Sequence, residues 1–162
     1  MSPIYAFRPM TSADLPLVKR WLEQPHVTEW WGDTHAQFEL VSGDLEIEAM
    51  NQFIVATGDR PFGYIQCYDP DVWPDNGLGI HPQGTRGVDQ FIGEPDMVDH
   101  GHGSAFIRTF IDRLLASGAP RVITDPDPAN GRAIRAYEKA GFVRDRMVET
   151  PDGIALLMVR NP

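Results

Sequence analysis

The chain is predicted to fold as an α/β (α+β) protein, a mixed and twisted central sheet carrying helices on both faces. Three observations lead there. Strand-like alternation and helix-like apolar periodicity follow one another along most of the 162 residues. Compact Gly, Pro and Asp clusters punctuate them, as turns would. The hydrophobic share of 42% is ordinary for one globular domain with a real core, and no repeat, linker or low-complexity stretch interrupts it. A single domain over residues 1–162 is expected.

Residues Ile4 to Arg8 alternate as a strand would. Thr11-Ser12-Ala13-Asp14 reads as a capping box leading into Leu15, Val18 and Leu22 at helical spacing. Thr34-His35-Ala36-Gln37 caps a second helix with Phe38, Val41 and Leu45 on one face. Gln52 to Thr57 and Phe62 to Tyr68 form a hairpin turning at Gly58-Asp59-Arg60-Pro61. Asp69 to Thr85 has no periodicity and is read as a long functional or mobile loop. The strand Val88 to Phe91 follows, then a glycine turn opening a helix with Ile107, Phe110, Ile111 and Leu114 as its apolar stripe. Arg121 to Thr124 is a strand stopped by Asp125-Pro126-Asp127-Pro128, and residues 130–142 carry the last helix. Met147 to Val159, turning at Pro151-Asp152-Gly153, closes the sheet as a second hairpin.

Composition excludes several classes of function. The net charge of −9, with Lys19 and Lys139 as the only lysines, repels nucleic acid and anionic membranes and favours cationic partners. The apolar runs are too short to cross a bilayer, and Met1 to Tyr5 lacks the basic and apolar regions of a signal peptide, so a cytoplasmic location is expected. Cys67, the single cysteine, rules out an internal disulfide and reads as a small buried residue. His26, His35 and His81 show no metal-ligand spacing, and no metal is expected.

Chemistry concentrates around the glycine turn. In His100-Gly101-His102-Gly103-Ser104 the missing side chains let backbone N–H groups approach an anion at a helix start, where the dipole adds positive charge; pyrophosphate is the natural occupant. Asp89, on the preceding strand, is a carboxylate able to bind an ammonium and take its proton, or else a strand-end residue making a structural hydrogen bond. Asp69, Asp71, Asp75, Asp89 and Asp125 form a set of carboxylates that could surround a polycation, although Asp69 and Asp71 read better as turn formers. Trp31, Gln66 and Tyr68 offer apolar and hydrogen-bonding faces suited to sugar rings. Tyr137 stands three residues after Ile134 and reads from spacing alone as a core aromatic or as a functional phenol. Arg132, Arg135 and Lys139 either serve an anion or form a solvated face.

The segments Val27-Thr28-Glu29-Trp30-Trp31-Gly32, Gly63-Tyr64-Ile65-Gln66-Cys67-Tyr68, Arg86-Gly87-Val88-Asp89-Gln90-Phe91, Thr124-Asp125-Pro126, Ala133 to Phe142 and Thr150-Pro151-Asp152-Gly153 resemble the GNAT superfamily of acetyl-CoA-dependent N-acetyltransferases. Within it the chain is most similar to the aminoglycoside 6′-N-acetyltransferases. The resemblance spans nearly the whole chain and implies acetyl-CoA as co-substrate and a polycationic amine as acceptor. It implies Asp89 as general base, Tyr137 as proton donor to the leaving sulfur, and Asn130 on the pantetheine arm. Backbone N–H groups around Phe91 and Ile92 would stabilise the oxyanion, and His100 to Ser104 with Arg135 would complete the co-substrate contacts. Trp31, Gln66, Tyr68, Asp75, Asp89 and Asp125 fall on acceptor-contacting positions. The pattern departs from the superfamily at Val98, where Gln or Arg is usual, and at His100 and His102; these changes bear on pyrophosphate affinity.

Two other functions are compatible with the residues. One is acylation of a hydroxylated lysine side chain in siderophore synthesis, which a His at position 89 would favour. The other is a weakly catalytic acyl-CoA-binding module, which Val98 and His100 would allow and the presence of both Asp89 and Tyr137 opposes. A monomer or homodimer is expected.

Overall fold

The computed structural model describes residues 3–162; Met1 and Ser2, the start of the N-terminal segment read above, lie outside them. Strand β1 (Tyr5–Pro9) leads into the expected capping box, where the Thr11 N–H donates to the Asp14 carboxylate at 2.9 Å. The same carboxylate receives both arms of Arg8 at 2.8 and 2.9 Å, and that contact holds it below the usual carboxylate range. The box closes a short 3₁₀ turn, and helix α1 (Leu15–Leu22) follows directly.

Helix α2 (Pro25–Trp31) is not among the expected elements. Its signal is Pro25 in the first turn, whose fixed φ suits a helix start and whose missing N–H would have had no partner there. Helix α3 (Thr34–Asp44) corrects a second expectation: its cap is Asp33, which accepts from the Ala36 N–H at 2.9 Å, while the Thr34 hydroxyl donates to the Leu22 carbonyl. A carboxylate is the stronger acceptor at the positive end of a helix.

The remaining elements are β2 (Met50–Thr57), β3 (Arg60–Tyr68), β4 (Arg86–Ile92), α4 (His102–Ala116), β5 (Val122–Thr124), α5 (Gly131–Lys139), β6 (Val143–Thr150) and β7 (Gly153–Arg160). Strand β6 starts four residues before the expected Met147, because Val143 to Arg146 is exposed on both faces and carries no burial pattern to read. The seven strands run in the order β1-β2-β3-β4-β5-β7-β6. The sheet is mixed: β1 pairs β2 antiparallel, β4 pairs β5 parallel, and β7 pairs both β5 and β6 antiparallel.

The chain divides into two compact units, one holding residues up to Gln66 with Gln90–His102, the other Cys67–Asp89 with Gly103–Pro162. In the first unit Val18, Trp21 and Leu22 of α1 pack with Val27, Val41, Ile54, Tyr64 and Phe91. Trp21 lies against Gly93, where any Cβ would run into the indole. Its Nε1 is the one buried side-chain polar atom among the described residues without a hydrogen-bond partner. Burying an indole of some 150–250 Å² at about 25 cal/mol per Å² contributes roughly 4–6 kcal/mol, more than the ~1–3 kcal/mol an orphan donor costs.

In the second unit Leu78, Ile123, Val148, Ala155 and Leu157 form a core. Leu78 comes from the long loop, which is pinned at its middle. Asn76 donates to the Pro70 carbonyl at 2.9 Å and accepts from the Leu78 N–H at 2.7 Å. Gly77, at φ +78°, sits so close to the Glu149 carbonyl that no side chain would fit.

Candidate active site

Parallel pairing of β4 with β5 sets Arg86 against Val122 and Gly87 against Ile123. Run on by two residues, this register brings Asp89 alongside Asp125, the first residue after β5; Asp89 lies in the middle of β4 and is not the strand-end residue that one reading of the sequence expected. The Thr124 hydroxyl donates to the Val88 carbonyl at 3.0 Å and locks the two strands just before these carboxylates. Tyr68, from the end of β3, lies over Gly87: a Cβ there would run into the ring and stand 2.7 Å from the hydroxyl. Trp73 meets the Tyr68 ring edge-on at 5.7 Å.

The electrostatics of this group are uniform in sign. Burial, then the charges of Asp89, Asp125 and Tyr137, push the Tyr68 phenol well above its ordinary value. Burial, then Asp89 and Asp152, raise the Asp125 carboxyl to about 8. The side chains acting on the two groups are all acidic or phenolic. Near pH 7 Asp125 therefore holds a proton that a bound cation would displace. Asp152, in the β6–β7 turn, was not among the expected site residues; its only signal is its place in the Thr150-Pro151-Asp152-Gly153 segment quoted above. Asp75 is exposed in the loop after β3 and is not one of the groups acting on Tyr68 or Asp125. Asp69 accepts from the Asp71 N–H at 3.0 Å, as a turn former does. Cys67 is buried, its thiol is raised by that burial, and Arg86 approaches its Sγ at 3.3 Å.

Tyr137 is buried on α5, edge-on to Phe142 at 5.4 Å, and its charge acts on Tyr68. Asn130 caps α5 by accepting from the Ala133 N–H at 3.2 Å, so its amide nitrogen is the atom left to face a ligand carbonyl. Arg132, Arg135 and Lys139 are exposed on the same helix.

In the first unit Trp31 is half-buried, edge-on to Phe91 at 5.1 Å and to Tyr64 at 6.2 Å. Tyr64 stacks on Phe91 at 5.2 Å and donates to Gln66 Oε1 at 2.6 Å. Gln66 is thus held by a phenol, and Gln52 donates to that phenol at 3.0 Å. Neither Tyr64 nor Gln52 was singled out from the sequence; a polar side chain alternating within an apolar strand was the available sign. The end of β4 is fixed by two successive N–H groups, of Gly93 and Glu94, donating to the Phe62 carbonyl at 2.7 and 3.2 Å. The Ile92 carbonyl accepts from His26 Nε2 at 2.8 Å.

Past Val98 the backbone turns through two left-handed residues, Asp99 at φ +64° and Gly101 at φ +80°. Around Gly101 no atom lies within 4 Å of the place a Cβ would occupy, so its backbone borders open space. His100 is exposed; His102 and Ser104 are half-buried in the first turn of α4.

Residues 10–150 match the model of the acetyltransferase (GNAT) domain. The chain is 34% identical to aminoglycoside N(6′)-acetyltransferase type 1 of Klebsiella pneumoniae over 165 residues, covering 94% of this chain and 81% of the relative. A crystal structure of aminoglycoside acetyltransferase AAC(6′)-Ib with coenzyme A and kanamycin superposes with a TM-score of 0.86 at 33% identity, over 98% of this chain and 95% of that one. A second structure of AAC(6′)-Ib, with paromomycin and acetyl-CoA, gives 0.86 at 33% identity over 97% and 93%.

Proposed function

The chain belongs to the acetyltransferase (GNAT) family and is an N-acetyltransferase, and from that premise we propose that it transfers acetyl from acetyl-CoA to the 6′-amine of an aminoglycoside-type polycation. Transfer is by direct attack in a ternary complex, within one domain spanning the chain. The carrying observation is the set of like charges in which Asp89 and Asp125 act on Tyr68, and Asp89 and Asp152 act on Asp125, which leaves the group short of positive charge. A polycation supplies that charge. Residue types support the reading: Trp31, Gln66 and Tyr68 suit amino-sugar rings, while the carboxyl groups of Asp125 and Asp75 suit their ammonium groups.

An alkyl ammonium near the lysine pKa of about 10 reaches the site protonated, so the nucleophile has to be made there. Asp89 binds that ammonium and takes its proton. The N–H groups of Phe91 and Ile92 receive the oxygen charge that develops at the thioester carbonyl. Tyr137 gives its phenolic proton to the departing sulfur. Asn130 holds the pantetheine arm through its amide nitrogen, and the turn from His100 to Ser104, with Arg135, holds the phosphates. The open space where a Cβ of Gly101 would stand fits that role. A cytoplasmic monomer or homodimer, acting on a drug-like amine, accords with these assignments, and among the described residues no helix is long and apolar enough to cross a membrane.

The test is release of CoA across a panel of amines. Kanamycin-type compounds with a 6′-amine are expected to react and 6′-hydroxyl congeners to remain unmodified, with binding weakening as salt rises. Reaction with a hydroxylated lysine and with no aminoglycoside would replace this reading by the siderophore one.

A further inference from the structure

His102 opens α4, yet its side chain is committed to β1. Nδ1 lies 2.8 Å from the Tyr5 hydroxyl, the two rings meet edge-on at 5.9 Å, and Phe62 covers the imidazole at 5.4 Å. Tyr5 and Phe62 are both buried. Burial raises the Tyr5 phenol, which stays protonated and is a donor at neutral pH. In the tautomer whose ring hydrogen is on Nε2, His102 accepts at Nδ1 from the Tyr5 hydroxyl.

The contact closes a turn that is costly by itself. Asp99 at φ +64° occupies the left-handed region that a non-glycine residue enters at about 1–2 kcal/mol, and Gly101 at φ +80° follows it. Such a backbone persists where its surroundings over-determine it. Tyr5 supplies one such constraint at the residue between the two glycines.

We propose that Tyr5 and His102 are positioning residues for the co-substrate, fixing the Gly101–Ser104 backbone to β1 so that its N–H groups are set for a diphosphate before it arrives. The inference rests on the reading of that turn as the co-substrate cradle. It differs from a direct contact: Tyr5 acts through His102 and touches no reacting atom.

The experiment measures steady-state kinetics and thermal unfolding of Tyr5→Phe, His102→Leu, His102→Asn and the Tyr5→Phe/His102→Leu double variant. Loss of one hydrogen bond from the preset turn raises the acetyl-CoA Michaelis constant about 2–10-fold, with kcat and the acceptor Michaelis constant unchanged. His102→Leu shows the same effect, and the double variant is no worse than either, because one interaction has been removed twice. His102→Asn, whose amide oxygen stands near the place of Nδ1, recovers most of the affinity that His102→Leu loses. A Tyr5→Phe enzyme with wild-type acetyl-CoA affinity overturns the proposal, as do additive effects in the double variant. So does a fall in melting temperature with both Michaelis constants unmoved. Gly103→Val separates the two levels. Lost acetyl-CoA binding there beside an unaffected Tyr5→Phe overturns the anchor alone, whereas retained binding in folded Gly103→Val removes the cradle and the anchor's role together.

Discussion

Two tyrosines four residues apart on β3 live in opposite surroundings. Tyr64 accepts from Gln52, donates to Gln66, and stacks on Phe91. Gln52 in turn donates to the Val41 carbonyl at 2.9 Å, which ties the network to α3. Every group in it is neutral and is matched with a partner of the right kind, and networks of that sort rigidify a core. Tyr68 has Asp89, Asp125 and Tyr137 as its electrostatic neighbours, all of which oppose its ionisation, and Asp89 opposes that of Asp125 as well. A satisfied network holds a shape, while a repelling one holds an affinity for whatever brings the missing charge. Strand β3 carries both, so the residue type alone did not say which tyrosine was which.

The comparison breaks first at its charged end. Asp89→Asn keeps the size and removes both the negative charge and the base; kcat is expected to fall roughly 10²–10⁴-fold for every amine substrate, while acetyl-CoA affinity stays. A selective rise in one acceptor's Michaelis constant at normal turnover would make Asp89 a binding group only. A smaller effect comes from Gly87→Val, whose side chain enters the Tyr68 ring. Displacing the ring at an overpacking cost of about 1–3 kcal/mol raises the acceptor Michaelis constant about 5–150-fold and leaves that of acetyl-CoA unchanged.

Legibility in the sequence followed the kind of signal each element carries. The hairpin β2–β3, helix α4 and helix α5 have long periodic faces and were placed to within a few residues. Helix α2 was missed because seven residues hold less than two full turns, and the start of β6 because an exposed edge has no buried face. The carboxylate pair Asp89 and Asp125 was named from residue type and resemblance, but their adjacency depends on parallel register, which no local pattern encodes. Asp152 and the Tyr5–His102 pair were not foreseen for the same reason: each acts across the sheet on a residue 27 or 97 positions away.

At the neutral end, Tyr64→Phe deletes the hydroxyl that Gln52 donates to and that donates to Gln66. A buried hydrogen-bonded group of this kind stabilises by about 1–2 kcal/mol, which lowers the melting temperature by roughly 2–8 °C. Thermal unfolding checks it. Turnover lost at an unchanged melting temperature would show that Tyr64 belongs with Tyr68 after all.

The smallest effect is a proton count. Asp125 is raised from 3.8 to about 8, so near pH 7 about nine-tenths of the molecules carry its proton. An ammonium placed beside it favours the charged form, and binding should release close to one proton there, fading as pH climbs past about 9. Calorimetry of acceptor binding in buffers of different ionisation enthalpy measures the release, and Asp125→Asn should abolish that share of it. Stability carries the same sign. Below about 4 both the folded and unfolded chain keep the proton; between about 4 and 8 only the folded chain does, so this group's contribution falls as pH rises through that window. Asp125→Asn is therefore expected to raise the melting temperature by a few degrees, about 2–4 °C for each kcal/mol recovered, at pH 8–9 and to leave it unchanged near pH 4. Equal shifts at both pH values would show that a lost hydrogen bond, rather than charge repulsion, governs Asp125, and the contrast between the two tyrosines would then rest on Asp89 alone.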